Sequence, residues 1–294
     1  MNLKYTWIFL LMLLLTGCWG GENPANPENG SLGTGRGAII YNGYAPLSHK
    51  PVTAHFYIPK GDMSRMPVLF VLPGVNRNAD EYLDAWKEGA DKKGVMIFSL
   101  EFPKSTYSTD EYIEGGMFDG SSLKSEKDWT FSLIEPLFQH IQKELNNSQS
   151  TFDMWGHSAG AQFVHRYLLF KPSAPVRSAV SANAGWYTVP DLTVAYPYGL
   201  KNSPASAVSL KQAFGKRLII QLGTADTDPN DSNLNHSPGA ELQGPHRYAR
   251  GLYFWDRSKM SSQTHGVFNW MKHEVPGVAH SYTRMAANAW DLLY

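Results

Sequence analysis

The sequence predicts an α/β domain with a mostly parallel central sheet and helices on both faces. Three observations predict it. Short strand-like runs rich in apolar residues occur at 67–72 (PVLFVL), 95–100 (VMIFSL) and 217–222 (RLIIQL), the first and last running into Gly74 and Gly223. Runs of this kind suit strands buried on both faces, the situation of a parallel sheet sandwiched between helices. Segments with apolar residues at helical spacing lie between them, and the alternation of the two patterns implies βαβ units.

At the start, Lys4 precedes the unbroken apolar run 7–15 (WIFLLMLLL). A basic head before a short apolar middle is the layout of a secretory signal. A membrane span needs about 20 mostly apolar residues, and Thr16, Gly17, Gly20 and Gly21 dilute this run too soon. Leu15-Thr16-Gly17-Cys18 resembles the lipobox of bacterial lipoprotein signals. The resemblance implies a signal peptide over 1–17, cut before a lipid-modified Cys18, and an extracytoplasmic domain anchored to a membrane of the bacterial cell envelope. The alternative is an ordinary secreted protein. Cys18 is the only cysteine, so no intramolecular disulfide is available and the core must hold the fold. Residues 18–37 are dominated by Gly, Pro, Asn and Glu and read as a flexible tether. Residues 38–294 then form one domain, of a length usual for α/β folds.

Within it, Val52, Ala54, Phe56 and Ile58 alternate with Thr53, His55 and Tyr57, the pattern of a half-buried strand near a sheet edge. After the strand at 67–72, Asn78 and Glu81 stand at capping-box spacing before a helix with Tyr82, Leu83 and Trp86 on one face. The strand at 95–100 leads into a polar stretch, 104–127, read as a long loop. Residues 129–145 carry a helical pattern in which Pro136 marks a kink or the start of the regular part. Then come a strand at 151–155, a helix at 161–170, strands at 176–182 and 217–222, and a helix at 245–260 with Pro245 in its first turn. A strand at 268–275 and a helix at 282–293 close the series.

The strand at 151–155 enters Gly156-His157-Ser158-Ala159-Gly160. This is the G-x-S-x-G pattern of a nucleophile elbow, and it stands where the pattern needs to stand, between strand and helix. A serine on that turn projects above the sheet. Glycines on either side allow strand and helix to approach closely, and the helix start aims N–H groups at a developing anion. The plain reading is a tight glycine turn with a solvated serine. His157 is adjacent to Ser158 but points away from it at a sharp turn, and reads as a packing or pocket-wall residue.

Together with the loop Pro73-Gly74-Val75-Asn76-Arg77-Asn78, the turn around Asp226 and the loop 275–280, this elbow resembles the α/β-hydrolase superfamily. The nearer likeness is to secreted esterases related to polyhydroxyalkanoate depolymerases and feruloyl esterases. The resemblance implies an α/β-hydrolase fold with a short cap segment, and a triad in the order Ser, Asp, His. It makes Ser158 the nucleophile and puts the base at His280, one of ten histidines, in the loop between the last strand and the last helix. His273 falls inside that strand, and His236, His246 and His265 read as solvated. The acid follows the penultimate strand in Gly223-Thr224-Ala225-Asp226-Thr227-Asp228. Asp226 matches the family's G-x-x-D placement; Asp228, before Pro229, is the rival and reads as a turn residue. An oxyanion hole would take its N–H groups from Ala159 and Val75, with Asn76 as the alternative to Val75. The interval 183–198 carries Trp186, Tyr187, Tyr196 and Tyr198. Trp186 and Tyr187 are the candidate substrate wall, and plain packing is the even alternative.

The chemistry so implied needs no cofactor or metal. The run from Asp226 to Asp231 has a calcium-loop flavour, but an EF-hand would need Gly where Asp231 stands and Glu where Ser237 stands. Lys and Arg total 26 against 26 Asp and Glu, without a basic stripe, so nucleic-acid binding has no electrostatic support. The expected partners are a small or polymeric ester and, through Cys18, a membrane. Beside the carboxylester hydrolase stand two alternatives: a serine peptidase or other acyl hydrolase, and a non-catalytic binding lipoprotein of the same fold.

Overall fold

The computed structural model describes residues 30–294. The expected signal, Cys18 and most of the expected tether lie outside the described residues. The elements are β1 (Gly35–Tyr41), β2 (Val52–Ile58), β3 (Val68–Leu72), α1 (Ala79–Lys93), β4 (Met96–Glu101), α2 (Thr109–Ile113), β5 (Phe118–Asp119), β6 (Ser122–Leu123), α3 (Ile134–Leu145), β7 (Phe152–His157), α4 (Ala159–Phe170), β8 (Val176–Ala182), α5 (Ala207–Gly215), β9 (Leu218–Gly223), α6 (Pro238–Glu241), α7 (Arg247–Ser262), β10 (Met271–Val275) and α8 (Tyr282–Leu293).

Eight strands form one sheet in the order β1-β2-β4-β3-β7-β8-β9-β10. β1 with β2 and β2 with β4 are antiparallel; all other neighbours are parallel. The buried runs explain the layering. Along β3, Val68, Phe70 and Leu72 join the core on one face, while Leu69 and Val71 join the core on the other. The first core takes α2, α3, α4 and α5; the second takes α1 and α8, with Trp86 and Trp290 in edge contact at 4.8 Å. Each such apolar side chain removed from water contributes about 1.5–3 kcal/mol.

The chain builds β4 on one side of β3 and β7 on the other, so β3 and β7 flank the point where the winding reverses. Crevices beyond the carboxyl ends of strands at such a point are where doubly wound sheets bind ligands.

Several expectations change in detail. β2 is second from the edge, because β1 covers it, and β1 begins at Gly35 inside the stretch expected as tether. Asn78 precedes α1, but the expected capping box does not form: its amide donates to the Glu81 carboxylate at 2.6 Å, so the two side chains satisfy each other. The stretch 104–127 is not all loop. Ser108 and Glu111 form a capping box that starts α2, and β5 pairs with β6. Pro136 lies in the first turn of α3, where its missing N–H costs no hydrogen bond. Pro245 lies before α7 rather than in it, because the His246 ring takes the cap position and accepts from Ala249 N–H at 3.2 Å. Among the described residues, no helix is long and apolar enough to cross a membrane.

Candidate active site

β7 delivers Ser158 to the carboxyl end of the sheet with φ 56° and ψ −115°. That backbone is unfavourable for a residue with a Cβ and costs about 1–3 kcal/mol, so the surroundings must enforce it. They do so by close approach. A Cβ on Gly160 would sit 1.9 Å from the Leu72 carbonyl oxygen, and one on Gly156 would sit 2.2 Å from the Gly160 carbonyl oxygen. Ser158 N–H donates to Ala182 at 3.0 Å, and Ser158 C=O accepts from Gln162 at 3.2 Å. The side chain is partly exposed, and its Oγ makes no hydrogen bond among the described residues.

Asp226 and His280 meet at this end of the sheet. His280 Nδ1 lies 2.6 Å from Asp226 Oδ2, with the His280 side chain 24% exposed and Asp226 4% exposed. A carboxylate on Nδ1 places the proton there and leaves Nε2 as the acceptor. The His280 ring lies 4.4 Å, centre to centre, from the ring of His157, the neighbour of Ser158 in sequence. Asp228 stays exposed, and its carboxylate accepts from Asn230 N–H at 2.8 Å in its own turn.

The loops that carry Asp226 and His280 are laced together. Ala225 N–H donates to Val278 at 3.0 Å, and Thr224 N–H to Val275 at 3.1 Å. Gly277 N–H donates to Thr224 Oγ1 at 2.9 Å. Asn183, at φ 49° just past β8, ties them further: its amide donates to Ala279 C=O at 3.1 Å and accepts from Gly223 N–H at 2.7 Å.

The loop after β3 closes the other side. A Cβ on Gly74 would lie at contact distance from that of Ser158, 3.7 Å, but only 2.9 Å from the Tyr82 hydroxyl, which would have to shift. Tyr112 donates to Pro73 C=O at 2.7 Å, and Arg77, at φ 60°, donates its N–H to Gly74 C=O at 3.0 Å. The Arg77 guanidinium lies 3.8 Å over the Tyr112 ring. Neither Val75 N–H nor Ala159 N–H donates to any described residue. Two free donors beside a projecting hydroxyl can stabilise an oxyanion.

No family model and no curated protein matches the chain. Solved structures do. Poly(aspartic acid) hydrolase-1 from Sphingomonas sp. KT-1 is 38% identical, with a TM-score of 0.86 over 89% of this chain and 99% of that one. A poly(3-hydroxybutyrate) depolymerase from Bordetella parapertussis is 30% identical, with a TM-score of 0.84 over 89% of this chain and 91% of that one. This chain belongs to the α/β-hydrolase family. An S-formylglutathione hydrolase from Agrobacterium tumefaciens, at 14% identity, a TM-score of 0.57 and coverage of 88% and 92%, shares the fold. The chain is thus a hydrolase.

Elsewhere in this α/β hydrolase, the segment expected to wall the substrate lies deeper than a wall should. Tyr187 is fully buried, stacked on Phe254 at 4.5 Å, with its N–H and C=O both held by Gln243. Tyr187 therefore belongs to the core. Trp186 is 3% exposed, its face covered by the Arg166 guanidinium at 4.0 Å and its edge by Tyr198. His157 is buried as expected of a packing residue. Its Nδ1 pairs with the Tyr82 hydroxyl at 3.0 Å, and burial, then His280 and Arg247, push its pKa well below the usual value and keep it neutral. Among the described residues, no three His, Cys, Asp or Glu side chains are spaced to hold a metal.

Sequence reasoning missed Asn183, Tyr82, Tyr112, Arg77 and Arg247 as site supports. The only signal was Asn183, a turn-tolerant polar residue directly after a buried strand. Asn183→Ala is expected to lower kcat for a short ester by about 10–100-fold through displacement of both loops, with KM little changed. Steady-state kinetics on the purified variant checks it, and unaltered kcat would remove Asn183 from the support.

Proposed function

We propose that this hydrolase cleaves carboxylic esters through an acyl-enzyme on Ser158. What supports the reading is one arrangement: a strained, unbonded Ser158 at the sheet's carboxyl end, whose chain neighbour His157 has its ring 4.4 Å from an imidazole that Asp226 holds at 2.6 Å. His280 Nε2 takes the Ser158 proton as Oγ attacks the carbonyl carbon. Val75 and Ala159 N–H groups receive the negative oxygen. Collapse expels the alcohol, which leaves with the proton from His280. Water then repeats the sequence against the acyl-serine and releases the acid. Asp226 fixes the imidazole tautomer and offsets the imidazolium charge.

The 30% identical relative is a poly(3-hydroxybutyrate) depolymerase, which favours an ester, including a polymeric one. A second reading is hydrolysis of poly(aspartic acid) or a similar polymer, favoured by the 38% identical relative. Turnover of a short chromogenic ester, of 3-hydroxybutyrate oligomers and of poly(aspartic acid) by residues 30–294, which keep β1 whole, separates them. Labelling by a fluorophosphonate that Ser158→Ala abolishes is expected in either case. Absence of labelling in the unaltered domain would overturn both.

The domain works at a membrane surface of the cell envelope, held by a lipid on Cys18 after removal of residues 1–17. Cys18→Ser is expected to shift the protein from the membrane pellet to the soluble fraction. Continued pelleting at high salt would overturn the anchor.

A further inference from the structure

Behind the acid stands a second buried ion pair. Arg247, 1% exposed at the start of α7, places Nη1 at 3.6 Å from Asp226 Oδ1, the carboxylate oxygen that His280 does not use. Its Nη2 donates to Asp231 Oδ1 at 2.9 Å, with the Asp231 side chain 27% exposed. Arg247 Nε and Nη1 have no hydrogen-bond partner, so the contact with Asp226 is electrostatic. His280, Asp226, Arg247 and Asp231 therefore stand in a row of alternating charge once the imidazole is protonated. A buried guanidinium one step from the acid cannot be neutral in effect. Alone it would draw on the Asp226 charge that the imidazolium needs, because charges interact strongly where water is excluded.

We propose that Arg247 and Asp231 are positioning residues that set the charge available to His280: Arg247 fixes Asp226 from behind, and Asp231 offsets the cation. The inference rests on reading Asp226 and His280 as acid and base. Asp231 is itself held down to about 2, chiefly by its bond to Arg247, so it remains an anion through the working range.

The other groups near this row are His157 from β7, Tyr82 from α1 acting through His157, Tyr187, which feels the Asp226 charge, Tyr282 from α8, whose ring is 6.4 Å from that of His157, and Arg250 from α7, a cation that feels Arg247 and pairs with Glu241 at 3.1 Å. Burial raises the pKa of all three tyrosines and lowers that of His157, so none of them gains or loses a proton near neutrality. A change in the acidic limb of kcat/KM on loss of either partner is then read at His280, and the two losses should move it in opposite directions. Removal of the cation leaves Asp226 stronger and the imidazolium more stable. Removal of Asp231 leaves the cation unopposed and the imidazolium less stable.

The test is the pH profile of ester turnover together with the titration of the His280 ring followed by NMR. Arg247→Gln is expected to move both upward by about 0.5–1 pH unit, and Asp231→Asn to move both downward by a similar amount. Arg247→Lys keeps the charge and should leave the limb in place while lowering kcat, because one ammonium cannot face Asp226 and bond Asp231 at once as the two guanidinium nitrogens do. The double variant Arg247→Gln, Asp231→Asn should return the limb near its original position. If Arg247→Gln does not fold, the half-exposed Asp231→Asn and the Arg247→Lys variant carry the test. Shifts of the same sign, or lower activity with no shift in limb or ring titration, would overturn the inference. Failure of the triad itself has a different signature: Ser158→Ala keeps its activity, whatever the ring titration does.

Discussion

Ser158→Ala is expected to reduce turnover of a short ester by about 10⁵–10⁶-fold and to abolish fluorophosphonate labelling. The size follows from the site. Without the hydroxyl there is no acyl-enzyme, and His280 and the free N–H groups of Val75 and Ala159 can act only on water. The fold should be unaffected, since Ser158 Oγ bonds no described residue and the elbow is held by backbone contacts. An unchanged urea midpoint beside lost activity checks the prediction. Activity within tenfold of the unaltered domain would remove Ser158 from the chemistry.

Asp226→Asn is expected to lower kcat by about 10⁴-fold with little change in KM. An amide can present its NH2 to Nδ1, which reverses the imidazole tautomer and turns Nε2 into a donor that cannot accept the serine proton. Asp228→Asn is the control and should change kcat by less than about threefold, because Asp228 is exposed and bonds only within its own turn. Equal losses in the two variants would mean that the 2.6 Å contact between Asp226 and His280 is not what orients the base.

The sheet was readable because its central strands are buried on both faces and so mostly apolar, β3 throughout and β4 and β9 with a single buried polar side chain each, Ser99 and Gln221. The strand at 176–182 and the helix at 282–293 stand where expected. β1 was not readable. Its GRGAIIY begins with two glycines around an arginine and takes its strand character from pairing with β2, a contact invisible to local pattern. The meeting of Asp226 and His280 at the end of the sheet that carries Ser158 was legible through the resemblance to α/β hydrolases, which picks out the elbow and these two loops. Their support was not. Arg247 reaches Asp226 from a helix whose local sequence offers no reason for a buried guanidinium, and Tyr112 reaches Pro73 across 39 residues. The aromatic residues of 183–198 were ambiguous for a related reason: a large ring reads the same in a pocket wall as in a core. The structure puts Tyr187 in the core, through its stack on Phe254.

The order in which the sheet is assembled has a consequence for biosynthesis. Ser158, Asp226 and His280 follow the ends of β7, β9 and β10 in turn, and β10 is the outermost strand beside β9. A ribosome therefore completes the elbow long before it supplies the imidazole. On the proposed mechanism, a chain whose last strand has not docked beside β9 holds Ser158 without its imidazole and stays inert.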